Sequence, residues 1–418
     1  MKDLYAIKIR AIWAELRNER ASFLLVCAYL FLEYVRPQSI YPQIDVMPYA
    51  LVTVLLTLIA YFSQSERPQV KNFENKLLGF YLVTVLLSSI FAYAPSVAFE
   101  NLQAFLAWIV VYYLITHIVN TEKRFFIFFL SFLLYNFKMS QHGFISWAQI
   151  GFQFRSWGVT GAPGWFHNSG EFGIELCVFL PLSIYFIISL RQYWGKLKLS
   201  FFLLFPFTAI ASVIATSSRG ALIGSAAALL WMVGKSKARV KALLAISIIA
   251  IAVYSYLPPE QYQRLQSSGE DNTSVSRLTR WKAAREMMDQ YPVLGIGYGN
   301  WMTYYGQFYS NNHIGLAHNI FLDAGAELGY TGLIIFILMI LYTLVNNART
   351  RKLALTFDNK FIFYTAHGLD AALIGLLVSG SFVSVLYYPY FWINLSFTVA
   401  LNNIANQQAA QLQKSLNV

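Results

Sequence analysis

The sequence predicts an all-α integral membrane protein of about twelve transmembrane helices with one large extracytoplasmic loop containing an amphipathic helix. Three observations predict it. Hydrophobic residues make up 57% of the 418 positions and charged residues 12%, well below the roughly 25% charge of an ordinary soluble domain. Apolar runs near the length of a membrane crossing follow one another along most of the chain. Lysine and arginine concentrate in alternate connections, as the positive-inside bias requires.

Hydropathy over a window of about 19 residues predicts spans centred on 22–35, 44–62, 77–94, 99–119, 125–148, 170–190, 199–215, 220–234, 241–257, 318–345, 363–384 and 387–404. Several lie close to the roughly 17-residue minimum for crossing hydrocarbon, so hydropathy fixes their number better than their ends. The stretch carrying Lys2, Lys8, Arg10, Arg17 and Arg20 is long and polar and lacks a small-residue cleavage site. The first span is therefore expected to be retained rather than removed as a signal peptide. With both termini cytoplasmic, the inner segments are 1–21, 63–76, 120–124, 191–198, 235–241, 346–362 and 405–418. They hold 22 of the 31 lysines and arginines. Shifting the count by one span would break this bias downstream. The net charge of +11 is thus mostly a topology signal, and nucleic acid, which needs a clustered basic face, is not an expected partner. Cys27 and Cys177 fall inside apolar runs, which argues against a disulfide framework or a cysteine metal site.

The chain divides into a nine-span part, 1–257, a polar and aromatic loop, 258–317, and a three-span part, 318–418. The outer face receives Arg36, Arg155, Arg219 and the loop cations Arg264, Arg277, Arg280, Lys282 and Arg285. Arg219 lies between two apolar runs in Thr216-Ser217-Ser218-Arg219-Gly220. It either snorkels to headgroups or holds a phosphate bidentately with its planar fork.

Ser274 to Gln290 reads as the amphipathic helix, capped by Ser274 or Ser276 and stopped before Pro292. Arg277, Trp281, Ala284, Arg285 and Met288 share one face by spacing. That face suits either a membrane surface or a lipid phosphate. Gly295-Ile296-Gly297-Tyr298-Gly299 is a tight turn rather than a dinucleotide fingerprint, because no strand precedes it and no helix opens from it. Trp301, Tyr304, Tyr305, Phe308 and Tyr309 are either interfacial anchors or platforms for sugar rings. His313, His318 and the His167-Asn168 pair are the outer-face histidine elements, and His318, at the lip of a span, is the leading suspect; it could instead only cap its helix.

Three elements in order carry a resemblance. They are Ser218-Arg219-Gly220-Ala221-Leu222; Arg277-x-x-x-Trp281-x-x-Ala284 leading to Pro292-x-x-Gly295-x-Gly297; and His318-Asn319, nine residues, then Gly329-Tyr330-Thr331-Gly332. Together they resemble the O-antigen ligase and polymerase superfamily of bacterial inner membranes, twelve-span proteins with a large periplasmic loop late in the sequence. The His-Asn and Gly-x-x-Gly spacing favours the ligases. The resemblance implies a membrane glycosyltransferase of the C class, in the inner membrane with its active site periplasmic. It implies an undecaprenyl-diphosphate-linked glycan as donor, a lipid A-core sugar hydroxyl as acceptor, and membrane lipids as surroundings. His318 is then the catalytic base, and Arg219 and Arg277, with Arg280 and Arg155 behind them, bind diphosphate. Trp281, Asn319, His313 and Asn168 are the candidates for other substrate contacts. No Asp-x-Asp pair occurs on the outer side, and Glu270-Asp271 reads as solvated loop charge. The expectation is inverting, metal-independent transfer without a cofactor. A polymerase, a protein-glycosylating ligase and a lipid-linked saccharide flippase are the alternatives. A flippase should show paired broken helices in two similar halves, and the sequence has no such repeat.

Overall fold

The computed structural model describes residues 1–154, 157–164, 166, 168–256, 259, 262, 272–309 and 315–416. Among these, all regular structure is helical. The N-terminal half contains α1 (Lys2–Tyr5), α2 (Ile9–Arg17), α3 (Ala21–Tyr34), α4 (Pro37–Ile40), α5 (Tyr49–Phe62), α6 (Phe73–Ile90), α7 (Pro95–Ile118), α8 (Glu122–Gln149) and α9 (Ser169–Leu190). The remainder contains α10 (Lys196–Ala215), α11 (Arg219–Lys235), α12 (Arg239–Tyr256), α13 (Asn272–Gln290), α14 (Trp301–Phe308), α15 (Ile320–Thr356), α16 (Lys360–Gly380) and α17 (Pro389–Leu416).

Every predicted span coincides with a helix, but ends and lengths differ. Among the described residues, six helices, α6, α7, α9 with the turn after it, α10, α15 and α16, are long and apolar enough to cross a membrane. Of the others, α3 and α5 have 14 residues each, and α8 carries Glu122, Lys123, Arg124 and Lys138. Hydropathy and helix also end at different places. The predicted span 318–345 stops where polarity rises, yet α15 continues to Thr356, because backbone hydrogen bonding does not end at the edge of an apolar run. At the other end of the comparison, α6 starts at Phe73, where Asn72 accepts the Glu74 amide at 3.0 Å and so caps the helix.

The connections gather at two ends of the helix bundle. At one end Glu122 accepts hydrogen bonds from Tyr5, Asn359 and Gln408, and the Trp194 indole donates to the Tyr5 carbonyl. At the other end Arg36 donates to the Gly164 carbonyl, and the Val159 amide to Ala215 at 2.9 Å. There too the Tyr93 amide donates to Ile296 at 2.9 Å, and the His318 amide to Ser384 Oγ at 2.9 Å. Each candidate site residue that is described lies in the second group or beside it.

At the centre α9 is almost wholly enclosed and packs against α10, α11 and α16. Small residues permit the approach. A Cβ on Gly173 would fall 2.3 Å from Ala221 Cβ, and one on Gly375 would fall 2.8 Å from the Cys177 carbonyl oxygen. Without a hydrophobic driving force between helices in lipid, such backbone proximity is what supplies van der Waals contact. It also fixes the height of α11, and therefore of Arg219 at its first turn.

Gly375→Val should force α9 and α16 apart, at a cost of about 1–3 kcal/mol for overpacking. A lowered thermal midpoint in detergent is expected for that variant, whereas Gly79→Ala, with nothing within 4 Å of the added carbon, should leave the midpoint unchanged or slightly raised.

Candidate active site

Arg219 opens α11. The Ser218 hydroxyl accepts the Ala221 amide at 3.3 Å, and the Ser218 amide donates to Thr216 Oγ1 at 3.2 Å. Between them Ser217 adopts a left-handed φ of 51°. The chain thus reverses within three residues, and the guanidinium stands half-buried beside the positive end of the helix. Two like partial charges at one place suit an anion.

The predicted amphipathic helix is α13, ending at Gln290 as Pro292 requires. It packs against α15 through Ala283, Ala284, Met287 and Met288, all buried. Arg277 and Trp281 sit on the edge of that face. Arg285, grouped with them by spacing, is exposed; the guanidinium that instead joins the site is that of Arg280, whose Nη1 donates to the Leu316 carbonyl at 3.3 Å. Arg219, Ile223, Ser274, Arg277, Leu278, Trp281 and Phe382 line one cleft of about 270 Å³. Residues 58 positions apart in sequence, Arg219 and Arg277, therefore share a wall.

His318 lies where α13 meets the segment that leads into α15. The carbonyls before it are each held by a side chain: Gly315 by the Trp301 indole at 3.0 Å, Leu316 by Arg280, and Ala317 by the Trp281 indole at 2.9 Å. Its own amide donates to Ser384. These bonds maintain a φ of 53°, a left-handed conformation that histidine adopts more readily than most side chains but still at a cost of order 1 kcal/mol. Nδ1 is buried without a hydrogen-bond partner among the described residues. Burial lowers the imidazole pKa to about 4, and the Arg277 and Arg280 charges add to the fall. Loss of water is the larger of the two causes. Asn319 Oδ1 accepts the Phe321 and Leu322 amides at 3.0 and 3.1 Å, so this residue caps α15 directly after the histidine.

The glycine turn docks on α15. Gly295, Gly297 and Gly299 have φ of 68°, 113° and 67°. A Cβ on Gly295 would lie 2.4 Å from the Glu327 carbonyl carbon. The Ile296 amide donates to Ala326 at 2.9 Å, the Gly297 amide to Glu327 at 3.2 Å and the Tyr330 amide to Pro292 at 2.8 Å. Gly329, with φ 68° and ψ −175°, breaks α15 there and lets residues 326–330 run alongside 292–297. The nine-residue gap after His318-Asn319 is the length of helix needed to reach this contact.

Sequence reading missed Asp323 and Glu327. Two acids one helical turn apart inside a predicted apolar span were the available signal. The buried Glu327 carboxylate accepts from the Gly299 amide at 3.0 Å, the Trp301 amide at 3.1 Å and the Tyr387 hydroxyl at 2.7 Å. Asp323 is buried on the same helix face and lies beside Ser384.

Of the remaining candidates, Arg155 and His313 lie outside the described residues, as does His167. Asn168 caps α9, its Oδ1 accepting the Glu171 amide at 2.9 Å. It stands near the site: a Cβ on Gly170 would be 3.2 Å from Val383. Cys27 and Cys177 are free thiols.

A family model described as O-antigen ligase matches residues 204–337. The resemblance seen in the sequence is thereby shown over roughly a third of the chain, the third that carries Arg219, the α13 cations, His318 and the Gly295–Gly329 contact. Comparison with curated proteins returned no match. The matched family is one of membrane glycosyltransferases of the O-antigen ligase and polymerase type.

Since the folded-state pKa of His318 is depressed, the neutral ring's contribution to stability is complete above the unfolded value near 6.5 and is lost as the pH falls through about 4. The pH dependence of His318 C2–H exchange, read by mass spectrometry, should show a midpoint near 4 in the ligand-free protein; a midpoint near 6.5 would mean an imidazole in open water.

Proposed function

We propose that this protein transfers an O-antigen glycan from undecaprenyl diphosphate to a sugar hydroxyl of the lipid A core, at the periplasmic face of the bacterial inner membrane. The observation that carries the reading is the shared cleft. Arg219 and Arg277 line it with Trp281, and both Arg277 and Arg280 act electrostatically on His318. Arg280 and Trp281 also hold the carbonyls of the two residues before His318, which supports a reading in which a diphosphate stands beside a base.

In the proposed reaction the acceptor hydroxyl attacks the anomeric carbon, and its proton passes to the neutral imidazole of His318. The bond from that carbon to the phosphate oxygen breaks on the opposite side, inverting the centre and releasing undecaprenyl diphosphate. Negative charge grows on the departing oxygen, so the transition state gains most from cations fixed in advance near it. Arg219 and Arg277 fill that role, with Arg280 and Arg155 next to them in the assignment. Diphosphate is already a good leaving group, and the reading requires neither an acid nor a metal. Trp281, Asn319, His313 and Asn168 are assigned to the substrate's surroundings, Asn319 and Asn168 through what their capping leaves available.

The twelve-crossing topology belongs to the same proposal. Loops gathered at two ends of the bundle, together with 22 of 31 cations on the segments assigned inside, support cytoplasmic termini and a periplasmic site. The exposed apolar residues of the cleft wall, Leu278 at 54% and Ile223 at 49%, suit a lipid tail reaching the site from the bilayer.

His318→Ala should abolish glycan transfer in cells while the protein remains inserted and donor accumulates on its lipid carrier. Full transfer by that variant would remove His318 from the mechanism. For Arg219, Lys retains the charge and loses the fork, so purified Arg219→Lys is expected to fall about 10–100-fold in kcat/KM, the worth of a charged bidentate contact. Reconstitution with undecaprenyl-diphosphate glycan, offered lipid A core, a lipid-linked glycan or a protein acceptor in the presence of chelator, separates ligase, polymerase and protein-glycosylating activities by product.

A further inference from the structure

The loop between α16 and α17 touches the site from an unexpected side. It holds Ser384, which accepts the His318 amide, and three residues later Tyr387, which donates to Glu327 at 2.7 Å. Its two partners on α15 are Asp323 and Glu327, four residues apart and so on one helix face. Asp323 lies beside Ser384, and Glu327 accepts from Tyr387. Glu327 also binds the Gly299 and Trp301 amides, and its carbonyl accepts both the Gly297 amide and, at 2.8 Å, the Ser88 hydroxyl of α6. One residue thus ties α6, the glycine turn that follows the guanidinium helix, and the loop that holds the histidine backbone.

We propose that Asp323 and Glu327 are positioning residues for the transfer reaction: a two-rung carboxylate ladder on α15 that grips Ser384 and Tyr387 and thereby fixes His318 against the α13 guanidiniums. Neither acid touches the cleft that takes the donor. Their action runs through the 384–387 loop on one side and the Gly295–Trp301 turn on the other. The arrangement explains why His318 keeps a left-handed φ: its amide hydrogen bond has an acceptor, Ser384, in the loop that Glu327 holds through Tyr387. Buried carboxylates are costly unless their lone pairs are satisfied, and one of the three donors on Glu327, the Tyr387 hydroxyl, comes from this loop while the Gly299 and Trp301 amides come from the turn. Alternative placements of the loop are therefore disfavoured together rather than one contact at a time.

The inference rests on the proposed role of His318, and the test separates the two. Glu327→Gln keeps the shape but replaces one acceptor oxygen with an amide that cannot accept. Tyr387→Phe and Ser384→Ala remove single hydroxyls and serve where the Gln variant is poorly folded. Full-length protein in nanodiscs is treated with diethyl pyrocarbonate at pH 7, and modification of His318 is followed by mass spectrometry. Glycan transfer is measured on the same samples with undecaprenyl-diphosphate glycan and lipid A core. Each single variant should change the His318 modification rate at least threefold and lower kcat about tenfold or more, with the donor KM within about twofold. Glu327→Gln combined with Tyr387→Phe should be no worse than the poorer single variant, since both act through one loop. An unaltered His318 modification rate in folded variants would overturn the ladder, whatever the activity. An altered rate with full kcat would leave the ladder standing and overturn His318 as the base.

Discussion

The contact on which the site depends is made between backbones. Residues 292–297 and 326–330 lie against each other through amide hydrogen bonds, and the approach is too close for side chains at Gly295 and Gly329. A Cβ on Gly329 would come 2.6 Å from the Val293 carbonyl carbon. That contact joins the end of α13, which carries the guanidiniums, to the helix that begins one residue beyond Asn319. The histidine and the arginines belong to different segments, brought together by this junction and by the Arg280 and Trp281 hydrogen bonds to the carbonyls before His318.

Such a junction answers a problem particular to a membrane protein. Irregular backbone near hydrocarbon must have its amides and carbonyls satisfied within the protein. The glycine turn meets the demand by pairing with the broken region of α15, and its last amides by pairing with the Glu327 carboxylate. The same reasoning applies to residues 315–317, whose carbonyls are held by two indoles and a guanidinium. Aromatic residues of the loop could be read as interfacial anchors or sugar platforms. For Trp281 and Trp301 the structure gives a further use, since each indole N–H supports the strand of chain before His318.

Much of this was legible in residue order. Each apolar run fell on a helix, Pro292 located the end of α13, and the glycine triplet announced a turn. The pairing of Glu327 with the turn was not legible, because a carboxylate's partners here are amides and a hydroxyl from segments 26 to 60 residues away. Backbone amides leave no trace in sequence. The grouping of Arg285 with Arg277 failed for a related reason. Helical spacing gives the face to within about a turn's width, and the burial of Ala283 and Met287 rotates the packed stripe so that Arg280 rather than Arg285 meets the neighbouring segment. Asn168 and Asn319 show the opposite limit: both read as polar residues near a site, and both spend their carbonyl oxygen on capping.

On the proposed mechanism the same guanidiniums serve two steps, and electrostatics orders them. With the cleft empty of anion, burial together with Arg277 and Arg280 holds the imidazole neutral but weakly basic, its pKa about 4. A base so weak removes a proton poorly, because efficiency rises as the pKa approaches the working pH. A diphosphate placed between the arginines would offset their charge at the ring and bring negative charge of its own, and both changes favour imidazolium. Basicity would then rise on donor binding, in the complex where an acceptor hydroxyl has somewhere to attack. Charge neutralisation at the leaving group and proton removal at the nucleophile are in that case two consequences of one cation cluster, which gives a physical reason for histidine and arginine to be held together so firmly.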